Sequence, residues 1–488
     1  MNEDVKRIID QAIQTEDQSL PFIPSFPLNR FLWIQSEALD GFISTIISEI
    51  STLSDTARRK RDQKTHKKFV YALKIIILNL LKIDRIPRRT LLAIPKGAGS
   101  YSAKARYDNI LAAFRPFMDA YDGLLRLGYI QEARKGYFDR DKSRGEVTRI
   151  QATEKLKSKL HLLFPQKFIF FSTHPDAETI FLKNEDKKLI DYQDTPFTLE
   201  ARTNLRKINE CLLRHWYDLD LTNEAFAELS QNQLEKHVVD NQKHSVVDYS
   251  ARSLYRIFNN GTFDQGGRFY GGWWEAIPSE YRKYVTIDSK WTVEIDYSSL
   301  HPSILYAIEG LDLPEDAYQI EGVKDRSMVK QAFARLLNGK KTFLTPEGYD
   351  EEKIGLPWKD LLHALEEKHQ PITKYFRTGY GNQLMFMDAQ CAERIMLHFA
   401  AMDVPCLPVH DSFIIHHAYA DELRDVMIDA YRTAFTNTPK TKTSNNFDWL
   451  TQAHIENGFS VPTIGDVLHD IETSEHEQRW QLWLEQKK

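Results

Sequence analysis

Val293-Glu-Ile-Asp-Tyr-Ser-Ser-Leu-His-Pro-Ser-Ile-Leu-Tyr306 changes its hydrophobic period half-way along. Trp291, Val293 and Ile295 alternate with Thr292, Glu294 and Asp296, the period of a strand with one face in a core. From Leu300 the spacing becomes helical through Ile304, Leu305 and Tyr306, and Pro302 fits a first helical turn. The stretch predicts a strand that carries one carboxylate, Asp296, to a sharp turn with a helix behind it. An Asp at such a junction is a helix cap or a ligand, and this stretch alone does not choose.

Three further signals bear on that choice. Upstream, Asp264-Gln-Gly-Gly-Arg-Phe-Tyr270 places two glycines where the backbone must turn tightly and sets Arg268 and Tyr270 on one side of an extended segment. Alone it is a hairpin with a surface Arg. Downstream, the helix predicted from Asp325 to Gly339 carries Arg326 and Lys330 four apart, so two cations share a face at a cost of roughly 0.2–0.5 kcal/mol in an isolated helix. A triphosphate along that face reverses the sign; solvated or acid-paired side chains are the bland alternative. Finally, Val404-Pro-Cys-Leu-Pro-Val-His-Asp-Ser-Phe-Ile-Ile-His416 reads as two apolar strands meeting at His410-Asp411. A carboxylate at a half-buried hairpin tip needs a partner, and a divalent cation is a suitable one. Asp296 and Asp411 together could hold two Mg2+ ions, with Mn2+ as a substitute, for an in-line displacement at phosphorus.

The rest of the chain bounds this reading. Its 488 residues, 42% hydrophobic and 27% charged, suit two or three globular domains and exclude a disordered or fibrous chain. Met1-Asn-Glu-Asp-Val-Lys-Arg lacks the apolar core of a signal peptide, and Lys74, Asn79 and Lys82 interrupt the most apolar run, so the expectation is cytoplasmic with no membrane span. Cys211, Cys391 and Cys406 show no paired spacing and read as reduced core residues. The net charge of -5 is unevenly spread, with Arg58, Arg59, Lys60, Arg61, Lys64, Lys67, Lys68, Arg85, Arg88 and Arg89 near the start and acidic residues from Asp466 to Glu477 near the end.

Residues 1–165 read as a mainly helical region. Within about 101–160, a helix through Met118, Tyr121, Leu124 and Leu125 closes at Gly128, and strands at 129–134 and 146–152 flank a basic turn with Arg134, Lys135, Arg140, Lys142, Arg144 and Arg149. These are the ingredients of a winged-helix-like module that contacts nucleic acid or protein. Residues 166–260, with a short strand at Phe168–Phe171 and a helix through Leu205, Ile208, Leu212 and Trp216, read as a connecting, thumb-like region. The chemistry falls in 261–488.

The ordered set over 264 to about 435 resembles the catalytic core of family A DNA polymerases and of the single-subunit RNA polymerases of phages and mitochondria, as a divergent and compact member. Asp296 and Asp411 match the metal-binding aspartates of motifs A and C, and His410-Asp411-Ser412-Phe413 is similar to the RNA polymerase wording. Arg326, Lys330 and Gly339 match motif B, Arg268 and Tyr270 a Gly-Arg-x-Tyr element upstream of motif A, and Ala420–Tyr431 the helix after motif C. The resemblance implies an α/β right-hand palm with reduced fingers, Asp296 and Asp411 as metal ligands, and Asp296, Asp411, Lys330 and Arg326 as catalytic residues. It places Arg268, Tyr270, Tyr297, His301, Asn338, His410 and Gln383 against substrate.

Two departures matter. His301 stands where the RNA polymerases carry Gly and family A DNA polymerases a Glu that excludes the ribose 2'-hydroxyl, and Asn338 stands where motif B carries Tyr. The expected activity is template-directed nucleotidyl transfer, favoured as DNA synthesis, with primer, template and nucleoside triphosphates as partners. RNA or primer synthesis, template-independent terminal transfer, and a nucleic-acid-binding replication or regulatory protein with a degenerate core are the alternatives.

Overall fold

In the computed structural model of this chain, the described residues are 25–53, 61–85, 90–101, 113–139, 144–165, 169–221, 251–339, 348–445 and 475–487, with a few isolated positions between them. Arg58, Arg59, Lys60, Arg88, Arg89, Arg140, Lys142, Phe168 and the acidic residues 466–472 lie outside them, and the Arg144 side chain is likewise undescribed. Two compact units emerge. One comprises 1–178, 221–251 and 473–488, the other 179–220 and 252–472.

The first unit is built on α1 (Glu37–Thr52) and α2 (Gln63–Asp84). Ser36 caps α1 by accepting the Leu39 N–H, and Asp62 caps α2 by accepting from Thr65. Helix α2 is buried almost all round, with Leu73, Ile76, Ile77, Leu80 and Leu81 in the core. Lys74 is buried within it and answers the charge by pairing with Asp40 at 2.8 Å. Strands β1 (Ser25–Pro27), β2 (Leu32–Trp33), β3 (Leu91–Ile94), β4 (Ile130–Arg134), β5 (Tyr137–Asp139), β6 (Arg144–Glu146), β7 (Thr148–Ala152) and β8 (Ser172–Thr173) complete the unit, with helices α3 (Phe114–Arg126) and α4 (Glu154–Leu163). The main sheet runs β1-β3-β7-β4. Helix α3 ends at Gly128 with φ 68°, and β4 and β7 pair antiparallel beneath the small β5–β6 hairpin. The strand expected over Phe168–Phe171 instead forms at Ser172–Thr173, where it pairs with Leu32 and Trp33 while Phe171 packs into the core.

The second unit holds a six-stranded sheet. Its strands are β10 (Tyr217–Leu219), β13 (Val285–Ile287), β14 (Lys290–Ser298), β15 (Leu407–Val409), β16 (Ser412–His416) and β17 (Lys440–Asn445), ordered β10-β13-β14-β16-β15 with β17 also on β14. A separate three-stranded sheet joins β9 (Ile180–Leu182), β11 (Arg252–Phe258) and β12 (Gly266–Gly272). Helices α5 (Pro196–Arg214), α6 (Leu300–Ile308), α7 (Arg326–Asn338), α8 (Trp358–Lys368), α9 (Gly381–Ala401) and α10 (Ala420–Arg432) surround the sheets.

Period two decides what each face of β14 does. Val293, Ile295 and Tyr297 are buried, and the Tyr297 hydroxyl donates to the Met427 carbonyl on α10 at 2.5 Å. Glu294 and Asp296 take the opposite face. Helix α9 is held to β11 and α5 by buried charge. Arg256 donates to Glu393 at 2.8 Å and to the Gly267 carbonyl at 2.7 Å, and Asn204 donates to the same Glu393 carboxylate.

Candidate active site

Asp296 sits one turn before α6, and the chain reverses between them through Ser299 in the left-handed region, φ 56°. On one side of β14, Asp296 lies opposite Ser412 of β16; on the other, opposite Lys442 of β17. Asp411 precedes Ser412 at the tip of the β15–β16 hairpin, where His410 adopts φ 61°, and the Asp411 carbonyl accepts the Tyr297 N–H at 3.3 Å. Asp411 thus sits in the turn one residue before the cross-strand partner of Asp296, near enough for its charge to act on the Asp296 carboxyl.

Their electrostatics follow from that proximity. Burial and then the negative charge of Asp411 push the Asp296 carboxyl up to about 7, against the pull of Lys330 and Lys442. A carboxylate held this way lacks enough positive charge to stay ionised comfortably near neutrality. Glu294, two residues back on the same face, is satisfied separately: Arg282 donates to it at 3.0 Å and the Ser412 hydroxyl at 2.6 Å.

The Arg326/Lys330 pair divides. Arg326 forks onto Asp316 at 3.0 and 3.1 Å, with its guanidinium over the Tyr318 ring, and this bond holds the Asp316 carboxyl below its usual range. Lys330 is exposed one turn along and its charge reaches Asp296. The sequence placed both cations on one helix face; the capture of one by Asp316 reverses their unfavourable proximity without a ligand. Asn338, at the end of α7, packs against the start of α9 so closely that a Cβ on Gly381 would stand 1.9 Å from its side-chain oxygen. Gln383 lies half-buried one turn into α9.

A triad around the buried Asp388, with Arg268 and His301 half-buried, links the upstream element to α6. The turn through Gly266 and Gly267, φ 76° and 81°, launches β12, whose Arg268 donates from Nε to both oxygens of Asp388 on α9 at 3.1 Å. His301 Nε2 reaches the same carboxylate at 2.9 Å and lies 3.2 Å from Arg268 Nη2. The Tyr270 ring sits 6.3 Å from that of His410. Thus Asp296, Asp411 and Lys330 form one group, and Arg268, His301, Tyr270 and His410 line its flank. Tyr297 points away into the core. Sequence reasoning did not single out Asp388, Asp316, Tyr318 or Lys442. Asp388 had a signal: it is an acid on the buried stripe Leu384, Asp388, Cys391, Ile395 of a helix.

No protein-family model and no curated protein matches this chain. Among solved structures, the POL domain of Pol1 from M. smegmatis, in complex with DNA primer-template and dNTP, aligns over 91% of this chain and 69% of that chain, with 10% sequence identity and a TM-score of 0.29. Among the described residues, no helix is long and apolar enough to cross a membrane.

Proposed function

We propose that the second unit is a polymerase palm that performs template-directed nucleotidyl transfer with deoxynucleoside triphosphates. The observation that carries this reading is that Asp411, one residue before the Ser412 that faces Asp296 across β14 and β16, is close enough that burial and then its negative charge raise the Asp296 carboxyl to about 7. Their donor set is all oxygen and anionic, which fits a hard cation such as Mg2+ or Mn2+. Ions held there would supply charge stabilisation to an attacking 3'-hydroxyl and a departing pyrophosphate.

The protein's own groups account for the remainder. Lys330 offers an exposed ammonium near Asp296 to orient the triphosphate, and Arg326 can join it only by leaving Asp316. Tyr270 and His410 border the space for the primer end. His301, held by Asp388 and Arg268 in the first turn of α6, keeps its imidazole at a set position and so can exclude a ribose 2'-hydroxyl. In the first unit, the α3, β4, β7 and β5–β6 arrangement supports a winged-helix-like role in nucleic-acid contact, with Lys135 exposed while Arg134 and Arg149 are drawn onto Glu146 at 3.6 and 3.1 Å.

Extension of a labelled primer on a defined template, supplied with dNTPs or with NTPs, tests this reading. Incorporation of the templated deoxynucleotide is expected, with the preference for dNTP relaxed at least tenfold in His301→Gly. Equal addition without template would replace it with terminal transfer, and unchanged sugar preference in the variant would remove His301 from selection.

A further inference from the structure

A second cluster of ligating groups lies at the far end of the same sheet. Cys211 and His215, four apart, occupy the last turn of α5 and its cap, so both project from one helix face. Asp403 follows the end of α9 in the left-handed region, φ 56°. One donor atom from each of Cys211, His215 and Asp403 lies within 4.8 Å of the others. Asp288 lies in the β13–β14 turn, and from Lys290, where β14 begins, Asp296 is six residues along the strand, roughly 20 Å at its rise.

The histidine is prepared in the manner of a metal ligand. Its Nδ1 is 2.6 Å from Asp288 Oδ2, and the other oxygen of Asp288 accepts the Trp216 N–H at 2.9 Å, so the carboxylate is itself fixed. A ring whose Nδ1–H is donated to an anchored carboxylate presents Nε2 as its lone pair. That Nε2 is buried without a hydrogen-bond partner among the described residues, and Asp403 Oδ1 lies 3.4 Å from it. Cys211 brings the soft donor. Burial holds its thiol up to about 11, the state of a core cysteine until a cation arrives to take the charge.

We propose that Cys211 Sγ, His215 Nε2 and Asp403 form a three-ligand site for Zn2+, with Asp288 as the carboxylate behind the histidine and a water completing the tetrahedron. A thiolate, an imidazole and a carboxylate suit zinc over magnesium. Bonds of about 2.0–2.3 Å place tetrahedral donors about 3.3–3.8 Å apart, so the set closes by about an ångström. On binding, one S–Zn, one N–Zn and one O–Zn bond form; the Cys211 thiol releases its proton to solvent, as does any protonated fraction of His215. Arg214, paired with Asp403 at 2.6 Å, stays on the carboxylate or swings out to solvent. The site would tie α5, the end of α9 and the base of the β13–β14 hairpin together, and it is independent of the polymerase reading.

Co2+ titration of the full chain gives the test, because a thiolate ligand produces a near-ultraviolet charge-transfer band and tetrahedral geometry strong visible bands. One equivalent should saturate both, Zn2+ should displace them, and in Asp411→Asn, which lacks the proposed Mg2+ pair, Zn2+ but not Mg2+ should raise the melting temperature by several degrees. Cys211→Ser should abolish the charge-transfer band, and His215→Ala and Asp403→Asn should each weaken Co2+ binding at least tenfold; circular dichroism identifies folded variants. Absence of the band in the folded wild type, or a band unchanged in Cys211→Ser, overturns the site and leaves a charge clamp of Arg214, His215, Asp288 and Asp403. Asp411→Asn should leave the charge-transfer band, its saturation by one equivalent of Co2+ and its displacement by Zn2+ unchanged, which separates this result from the fate of the polymerase reading.

Discussion

Asp388 is the residue whose loss should be felt in two ways at once. Its side chain is 1% exposed and it is the shared partner of Arg268 and His301. Asp388→Asn leaves the half-buried Arg268 guanidinium with a neutral partner, which should appear as a lower denaturant midpoint. Because the same carboxylate fixes His301, the variant should also discriminate less between dNTP and NTP. Asp388→Ala with unaltered stability would contradict the buried pairing. Lys330 supplies a cleaner kinetic test. It is exposed and has no structural burden in α7, so Lys330→Ala should keep the melting temperature while lowering kcat/KM for the incoming nucleotide about 10²-fold. Arg326→Ala should cost less, since Arg326 is held by Asp316.

At the scale of elements, the contact between α7 and α9 is set by one absent side chain. Gly381→Ala would drive a Cβ into Asn338, and overpacking of this kind costs about 1–3 kcal/mol. Asn338→Ala in the same chain should recover most of that loss, and a double-mutant cycle measures the coupling. This is also where the reading of the sequence reached its limit. The strand at Val293–Asp296, the hairpin tip at His410–Asp411, the helix ending at Gly339 and the tight turn at Gly266–Gly267 were all legible, because each rests on local period or on glycine geometry. The partners of those elements were not. Arg268 meets Asp388 across 120 positions, and Arg326 meets Asp316 outside its own helix, and no local pattern encodes such pairings. Tyr297 shows the opposite case: its parity along β14 is that of Val293 and Ile295, so the period alone sends it to the core, where its hydroxyl finds Met427.

For the whole molecule, the Asp296–Asp411 pair predicts how stability varies with pH. An unfolded Asp ionises near 3.9, whereas Asp296 in the fold holds its proton up to about 7. Between those values the folded state binds more protons than the unfolded state, so stability in metal-free buffer should fall as pH rises from about 4 to 7. Asp296→Asn should flatten this decline and raise the melting temperature at pH 8, and millimolar Mg2+ should offset it in the wild type alone. A stability that rises across this window in the wild type relative to the variant would contradict the assignment. A carboxylate pair that costs stability without a cation is what the proposed metal site requires, and that proposal can be measured directly. Wild type, Asp296→Asn and Asp411→Asn, each shown to be folded, should be given one primer-template, Mg2+ and the complementary dNTP. The account predicts templated extension by the wild type and a loss of at least about 10³-fold in both variants. An inert wild type, or a variant that extends the primer at the wild-type rate, would contradict it.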